Sequence, residues 1–178
     1  VLGELTKELT DSSDLLVISP GVPIDSPVVK AFEAAGVPVW GEVELAYAFD
    51  KGKVLAITGT NGKTTTTALV GQIVGAYHKD TFVVGNIGNP YTTEVLKSNK
   101  DSYTVAEISS FQLETVHEFH PLVSAILNIT PDHLNRHYTM DCYVQTKEKI
   151  AMNQKGSEVC VLNFDDDYLR EFGEHTTA

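Results

Sequence analysis

Short apolar runs recur along the chain, each followed by a glycine-rich or polar turn and then by residues with helical spacing. Residues 15–18 read as a strand, and Ser19-Pro20-Gly21-Val22-Pro23 as a rigid loop. Ser26-Pro27 has the form of a helix N-cap with proline at the first helical position, and Gly36 ends that helix. A second strand over 37–40 and a helix over 42–49 follow. The run 54–57 predicts a third strand, which ends in Gly59, Asn61 and Gly62 before Lys63-Thr64-Thr65 opens a helix. Further strands are expected over 81–84, 103–108, 122–129 and 158–162. Helices are expected near 92–96, after Ser109-Ser110, over 141–153 and over 165–172, with a polar loop at 130–137. Asp165-Asp166-Asp167 suits the positive end of that last helix better than a metal cluster. Repeated βα units predict an α/β fold with a mostly parallel sheet and helices on both faces.

The stretch around Lys63 carries the clearest chemistry. Glycines let a backbone turn its N–H groups toward one point, and a new helix adds its own unpaired N–H groups and positive dipole end. A lysine there meets phosphate oxygens, and the next hydroxyl can ligate Mg²⁺. The spacing is G-x-x-G-K-T-T, shorter than the common eight-residue loop, which would require glycine where Ile57 stands. An ordinary βα turn with a solvent-facing Lys63 would leave the threonine run 64–67 unexplained, because β-branched polar residues are mediocre helix formers.

Composition narrows the partners. A hydrophobic content of 42% over 178 residues suits a globular fold with a core. A net charge of −11 argues against nucleic acid as a partner, yet leaves room for a nucleotide held at a local positive site. Cys142 and Cys160 form no C-x-x-C pair and read as buried small hydrophobes. No signal peptide or membrane-length apolar run is evident, so a cytoplasmic location is expected.

In parallel sheets ligands bind at the carboxyl ends of the strands. Lys63 and Thr64, Asn86, Glu107, and Asn128 with Asp132-His133 all follow strands, so they should meet around one crevice. Glu107 ends an apolar strand, where it reads as a Mg²⁺ ligand or as a cap for the Ser109 turn. His133 is an exposed bystander or a member of the crevice. Lys147 shares a helix face with Tyr143, Val144, Ile150 and Ala151, so it snorkels to water or has a chemical task; spacing favours snorkelling, with Lys149 as the solvated counterpart.

The segments GTNGKTTTT (59–67), GNIG (85–88), AEISSFQLE (106–114), LNITPDHLNRH (127–137) and YVQTKEK (143–149) together closely resemble the Mur ligase family. Within it, SPGVP (19–23) and ISSFQLE (108–114) look like the member that adds D-glutamate to UDP-N-acetylmuramoyl-L-alanine; folylpolyglutamate synthase shares the short loop but fits these two stretches poorly. The resemblance implies ATP-dependent amide ligation through an acyl phosphate, for peptidoglycan precursors. It implies a P-loop ATPase-like central domain beginning at 42–178, and at 1–41 the tail of a Rossmann-like, UDP-binding domain. By the same resemblance Gly59, Thr60, Asn61, Gly62, Lys63, Thr64, Thr65 and Thr66 hold ATP. Thr64 and Glu107 hold one Mg²⁺; His133 and Lys147, the latter as an N-carbamate, hold a second. Lys63, Glu107, His133 and Lys147 form the catalytic set, and Ser19, Pro20, Gly21, Asn86 and Gln112 contact substrate. The complete family member is expected to be a monomer, and this stretch alone to be unable to complete ligation. The alternatives are another Mur- or folylpolyglutamate-type amide ligase using a different amino acid and, from another class, a non-catalytic nucleotide-binding module.

Overall fold

The computed structural model describes residues 5–178. Among them, no helix is long and apolar enough to cross a membrane. Two sheets form. The smaller pairs β1 (Leu16–Ile18) with β2 (Val39–Gly41) in parallel. Between them runs α2 (Pro27–Ala34), whose N-cap Ser26 accepts from the Val29 N–H and whose end passes through Gly36 at φ +77°. A preceding helix, α1 (Lys7–Asp11), was not expected; its signal is the capping Thr6, which accepts from the Leu9 N–H.

The larger sheet has five parallel strands: β3 (Lys53–Thr58), β4 (Thr81–Gly85), β5 (Tyr103–Glu107), β6 (Val123–Ile126) and β7 (Val159–Leu162), in the order β4-β5-β3-β6-β7. The most apolar runs take the middle. Val54, Ala56 and Ile57 of β3 and Val105 and Ala106 of β5 are buried, as a strand covered on both faces requires. The helices α4 (Lys63–Tyr77), α8 (Met140–Glu148) and α9 (Asp167–Gly173) and the short α5 (Tyr91–Glu94), α6 (Ser110–Leu113) and α7 (Leu134–His137) complete the unit. Tyr91, Ile108, Leu113, Phe119, Tyr143 and Ile150 join the strand side chains in one core.

The helix α3 (Glu42–Phe49) packs between the smaller sheet and the short helices α5 and α6. Its Glu44 is buried, and the carboxylate accepts the N–H groups of His117, Glu118 and Phe119 at 2.9, 2.6 and 3.2 Å. A buried charge is tolerable there because three donors replace its water.

Several expectations are corrected. The strand expected over 122–129 stops at Ile126, because Asn128 and Ile129 bond elsewhere: the Ile129 N–H donates to the Asp166 carboxylate that also caps α9. The expected polar loop contains α7, entered at His133 (φ +50°) and left at Tyr138 (φ +66°). Helix α8 ends at Glu148 and tightens into a 3₁₀ turn over Lys149–Ala151. Cys142 is exposed and Cys160 half-buried, so neither is a fully buried hydrophobe. Lys149 is half-buried and donates to the Glu114 carbonyl at 3.1 Å, so it is not simply solvated.

Candidate active site

The site begins where β3 runs out. Gly62 sits at φ +83° as the N-cap of α4, a left-handed position that a side chain disfavours, and no side chain caps the helix. The first-turn N–H groups therefore stay available for an anion. Lys63 curls back over its own loop and donates to the carbonyls of Gly59 (3.0 Å) and Thr60 (2.9 Å).

Lys147 meets the same loop from the other side. It is 1% exposed, its Nζ donates to the Gly59 carbonyl at 2.8 Å, and it lies 4.7 Å from the centre of the Tyr143 ring. The snorkelling expectation fails because the apolar face of α8 packs beneath the phosphate loop, which blocks the path to water. Burial, and then the positive charge of Lys63, push the Lys147 amine down to about 7.

A clasp from the chain after β6 holds the tip of the loop. The Asn61 N–H donates to Asn128 Oδ1 (2.8 Å), and Asn128 Nδ2 donates to the Asn61 carbonyl (3.0 Å). The Thr60 N–H donates to the Asn128 carbonyl, and Thr60 Oγ1 shares a hydrogen bond with Tyr143 Oη. Asn128 was expected to face the crevice; instead it acts as an extra piece of backbone. Asn128→Ala should lower stability by about 1–2 kcal/mol and speed amide exchange at Asn61. Urea unfolding with exchange mass spectrometry checks both.

Glu107 closes β5 beside this loop and is 1% exposed. Its Oε1 accepts from Asn86 Nδ2 at 3.0 Å, while its Oε2 is buried with no hydrogen-bond partner among the described residues. The main chain crowds closely here: a Cβ on Gly85, at φ +103°, would stand 2.2 Å from the Glu107 carbonyl oxygen. Glu107 does not cap the Ser109 turn, because Gln112 Oε1 accepts from both the N–H and the hydroxyl of Ser109. A cleft of about 300 Å³ results, lined by 60–65 together with Asn86 and Glu107. The expected convergence of Lys63, Thr64, Asn86 and Glu107 is therefore present.

The remaining candidates are less concentrated. Gln112 is tied into its capping box but also borders a neighbouring cleft of about 220 Å³, with Asn86 and Glu42. Ser19 reaches that cleft's wall by donating to Glu42 Oε1 at 2.7 Å. His133 is half exposed, 3.5 Å from Asp132 and 4.9 Å from the Phe111 ring centre, and does not line the phosphate cleft. No group of three His, Cys, Asp or Glu side chains is arranged for a metal among the described residues. Glu42, Arg136 and Glu114 carry no signal of their own in the sequence, since a charged residue in or at the end of a helix reads as solvated until its tertiary partners are known.

Residues 57–178 match the Mur ligase middle domain. The chain belongs to the Mur ligase family. It is 69% identical over 178 residues to a UDP-N-acetylmuramoylalanine–D-glutamate ligase of Lachnospira eligens, covering 100% of this chain and 40% of that protein. A ligase of the same name from Lachnoclostridium phytofermentans is 59% identical, over 96% of this chain and 37% of its own length. The chain thus spans about 40% of the length of the curated relatives it matches. Among solved structures, a MurF of Acinetobacter baumannii aligns over 92% of this chain and 44% of its own at TM-score 0.57 and 19% identity. A MurF of Thermotoga maritima, solved with ADP, aligns over 91% and 46% at TM-score 0.56 and 19% identity. These two likenesses establish the shared Mur ligase α/β fold.

Proposed function

We propose that the full-length protein containing this chain is an ATP-dependent ligase, joining D-glutamate to UDP-N-acetylmuramoyl-L-alanine through an acyl phosphate in peptidoglycan precursor synthesis. The carrying observation is the phosphate-loop cleft into whose wall Glu107 brings a buried carboxylate oxygen with no hydrogen-bond partner among the described residues. The high identity to the Lachnospira eligens enzyme supports D-glutamate as the amino acid. A cytoplasmic monomer acting on soluble nucleotides, without nucleic acid or membrane, completes the reading. Residues 1–41 are taken as the end of the UDP-binding domain and 42–178 as the start of the ATP-binding domain.

A carboxylate is a poor electrophile, so γ-phosphoryl transfer to it must come first; the amine of D-glutamate then attacks the carbonyl and phosphate leaves. The N–H groups of 61–65 and the Lys63 amine hold the phosphates in line, with Gly59, Thr60 and Thr66 completing the cradle. Ser19, Pro20 and Gly21 contact the uridine end of the substrate, and Asn86 and Gln112 the sugar and lactoyl-peptide part.

The residues suit Mg²⁺: a carboxylate oxygen with no partner among the described residues and the Thr64 hydroxyl are hard oxygen donors beside a phosphate cradle. Thr64 and Glu107 would hold one ion, His133 and Lys147 a second. When bound, such ions neutralise charge on the phosphates. As an N-carbamate, Lys147 would offer the second ion an anionic oxygen donor. Its depressed amine supports carbamate formation, because the neutral nitrogen adds to CO₂ and a proton is released to solvent. A pure nucleotide-binding module would have no use for such a lysine.

The test is phosphate release by the full-length protein with ATP, Mg²⁺ and UDP-N-acetylmuramoyl-L-alanine. D-glutamate should be preferred over L-lysine, meso-diaminopimelate or L-alanine by at least about 100-fold, a discrimination available to a site that pairs a charged side chain. Equal or greater release with another amino acid would refute the specificity.

A further inference from the structure

The turn formed by 133–138 is unusual in both shape and connections. Its two ends, His133 and Tyr138, are non-glycine residues at positive φ, a conformation that persists only where surrounding contacts over-determine it. Those contacts reach back to the opening segment. The Arg136 guanidinium donates through Nη2 to the Val22 carbonyl at 2.9 Å. It also grips the Glu114 carboxylate through Nε and Nη2 at 3.0 and 2.6 Å, and stacks 5.0 Å from the centre of the Phe111 ring. Two residues on, Tyr138 Oη donates to Asp25 Oδ2 at 2.6 Å.

Val22 is the residue that closes the Ser19–Val22 turn, its N–H donating to the Ser19 carbonyl at 2.9 Å. Arg136 therefore pins the turn that presents Ser19, Pro20 and Gly21, and on its other side supports the Phe111 ring against which His133 rests. Glu114 is nearly buried and satisfied by the fork, so the arginine is held in one pose rather than free to follow the loop.

We propose that Arg136, assisted by Tyr138, is a positioning residue that sets the 19–22 turn for the uridine-nucleotide acid and couples that turn to the His133 loop. This rests on the substrate reading above. Arg136 touches no reacting atom; its effect passes through the Val22 carbonyl and the Phe111 ring.

The experiment uses the full-length protein with Arg136→Met, Arg136→Lys and Tyr138→Phe. Calorimetric titration with UDP-N-acetylmuramoyl-L-alanine, without ATP or metal, is combined with amide exchange at Val22, KM values and melting temperature. Arg136→Met should raise Kd and KM for the uridine acid at least ten-fold, change KM for ATP less than two-fold, and speed Val22 exchange at least ten-fold. Arg136→Lys should recover only part of the affinity, because one ammonium cannot reproduce the fork on Glu114 and still reach Val22. Tyr138→Phe should weaken binding two- to five-fold. An unchanged Kd in folded Arg136→Lys and Tyr138→Phe proteins overturns the proposal, as does a lowered melting temperature with Kd intact. If the wild type binds no uridine nucleotide, the substrate reading fails instead, and Val22 exchange alone decides: faster exchange upholds the tie, unchanged exchange removes it.

Discussion

Glu107→Gln in the full-length protein is expected to reduce Mg²⁺-dependent turnover by about 10²–10³-fold while leaving stability without metal within about 1 kcal/mol of wild type. The two effects have one origin. Oε2 is buried with no hydrogen-bond partner among the described residues, and a buried acceptor left unsatisfied costs about 1–3 kcal/mol. Glutamine keeps an acceptor for Asn86 Nδ2 and removes the carboxylate charge, but sets an amide N–H₂ where Oε2 stood, so stability without metal should stay within about 1 kcal/mol of wild type. The same exchange removes the anionic oxygen with which the cleft would hold Mg²⁺. Steady-state rates and urea midpoints, each measured with and without Mg²⁺, test the pair. A variant turning over within ten-fold of wild type would remove Glu107 from the metal site, whatever its stability.

Lys147→Met should cost a comparable factor in turnover and also change how stability depends on pH. The wild-type amine is pushed down to about 7 in the fold, against its ordinary 10.5 in the unfolded chain. Between those values the unfolded chain binds a proton that the folded chain does not, so stability rises with pH across this window. Below about pH 7 both states carry the proton, and the full cost of burying the ammonium is present without further slope. Above the ordinary lysine value neither state carries it. The rise is on the order of 5 kcal/mol over the whole window. Methionine retains the stem against Tyr143 and has nothing to titrate, so its difference from wild type should shrink as pH rises. Urea midpoints at pH 6.5 and 9.5, in buffer freed of CO₂, provide the comparison. Parallel pH curves for the two proteins would mean that Lys147 is not buried as a depressed amine.

Much of the site could be read from local order along the chain. Gly59, Gly62, Lys63 and Thr64 lie within one strand–turn–helix unit, and nearby residues in a turn meet whatever the rest of the molecule does. The βα alternation similarly implied parallel strands, and parallel strands imply that residues following each strand share a rim. Glu107 beside Asn86, both facing the phosphate loop, follows from that rule.

The rule weakened where the chain left the sheet. Asn128 follows a strand but faces backbone, because the Asn61 peptide offers both a donor and an acceptor at the right separation. His133 follows the same strand but stands in a left-handed turn whose direction is set by Arg136 and Tyr138, bonded to residues more than a hundred positions earlier. Gln112 comes from the family resemblance rather than from this rule; its amide oxygen accepts from Ser109 while the residue borders the cleft beside Asn86.

By itself the sequence determined the α/β alternation, the phosphate loop and the motif set shared with the Mur ligase family, since each depends on neighbours within a few residues or on the alternation of strand and helix. For Lys147, spacing favoured solvent and the family resemblance a chemical task; tertiary structure alone decided that its amine rests buried on the Gly59 carbonyl, and that Arg136 fastens the opening turn to the core. The reason is physical: helical spacing says which face a side chain shares, whereas its charge state and partners depend on what packs against that face.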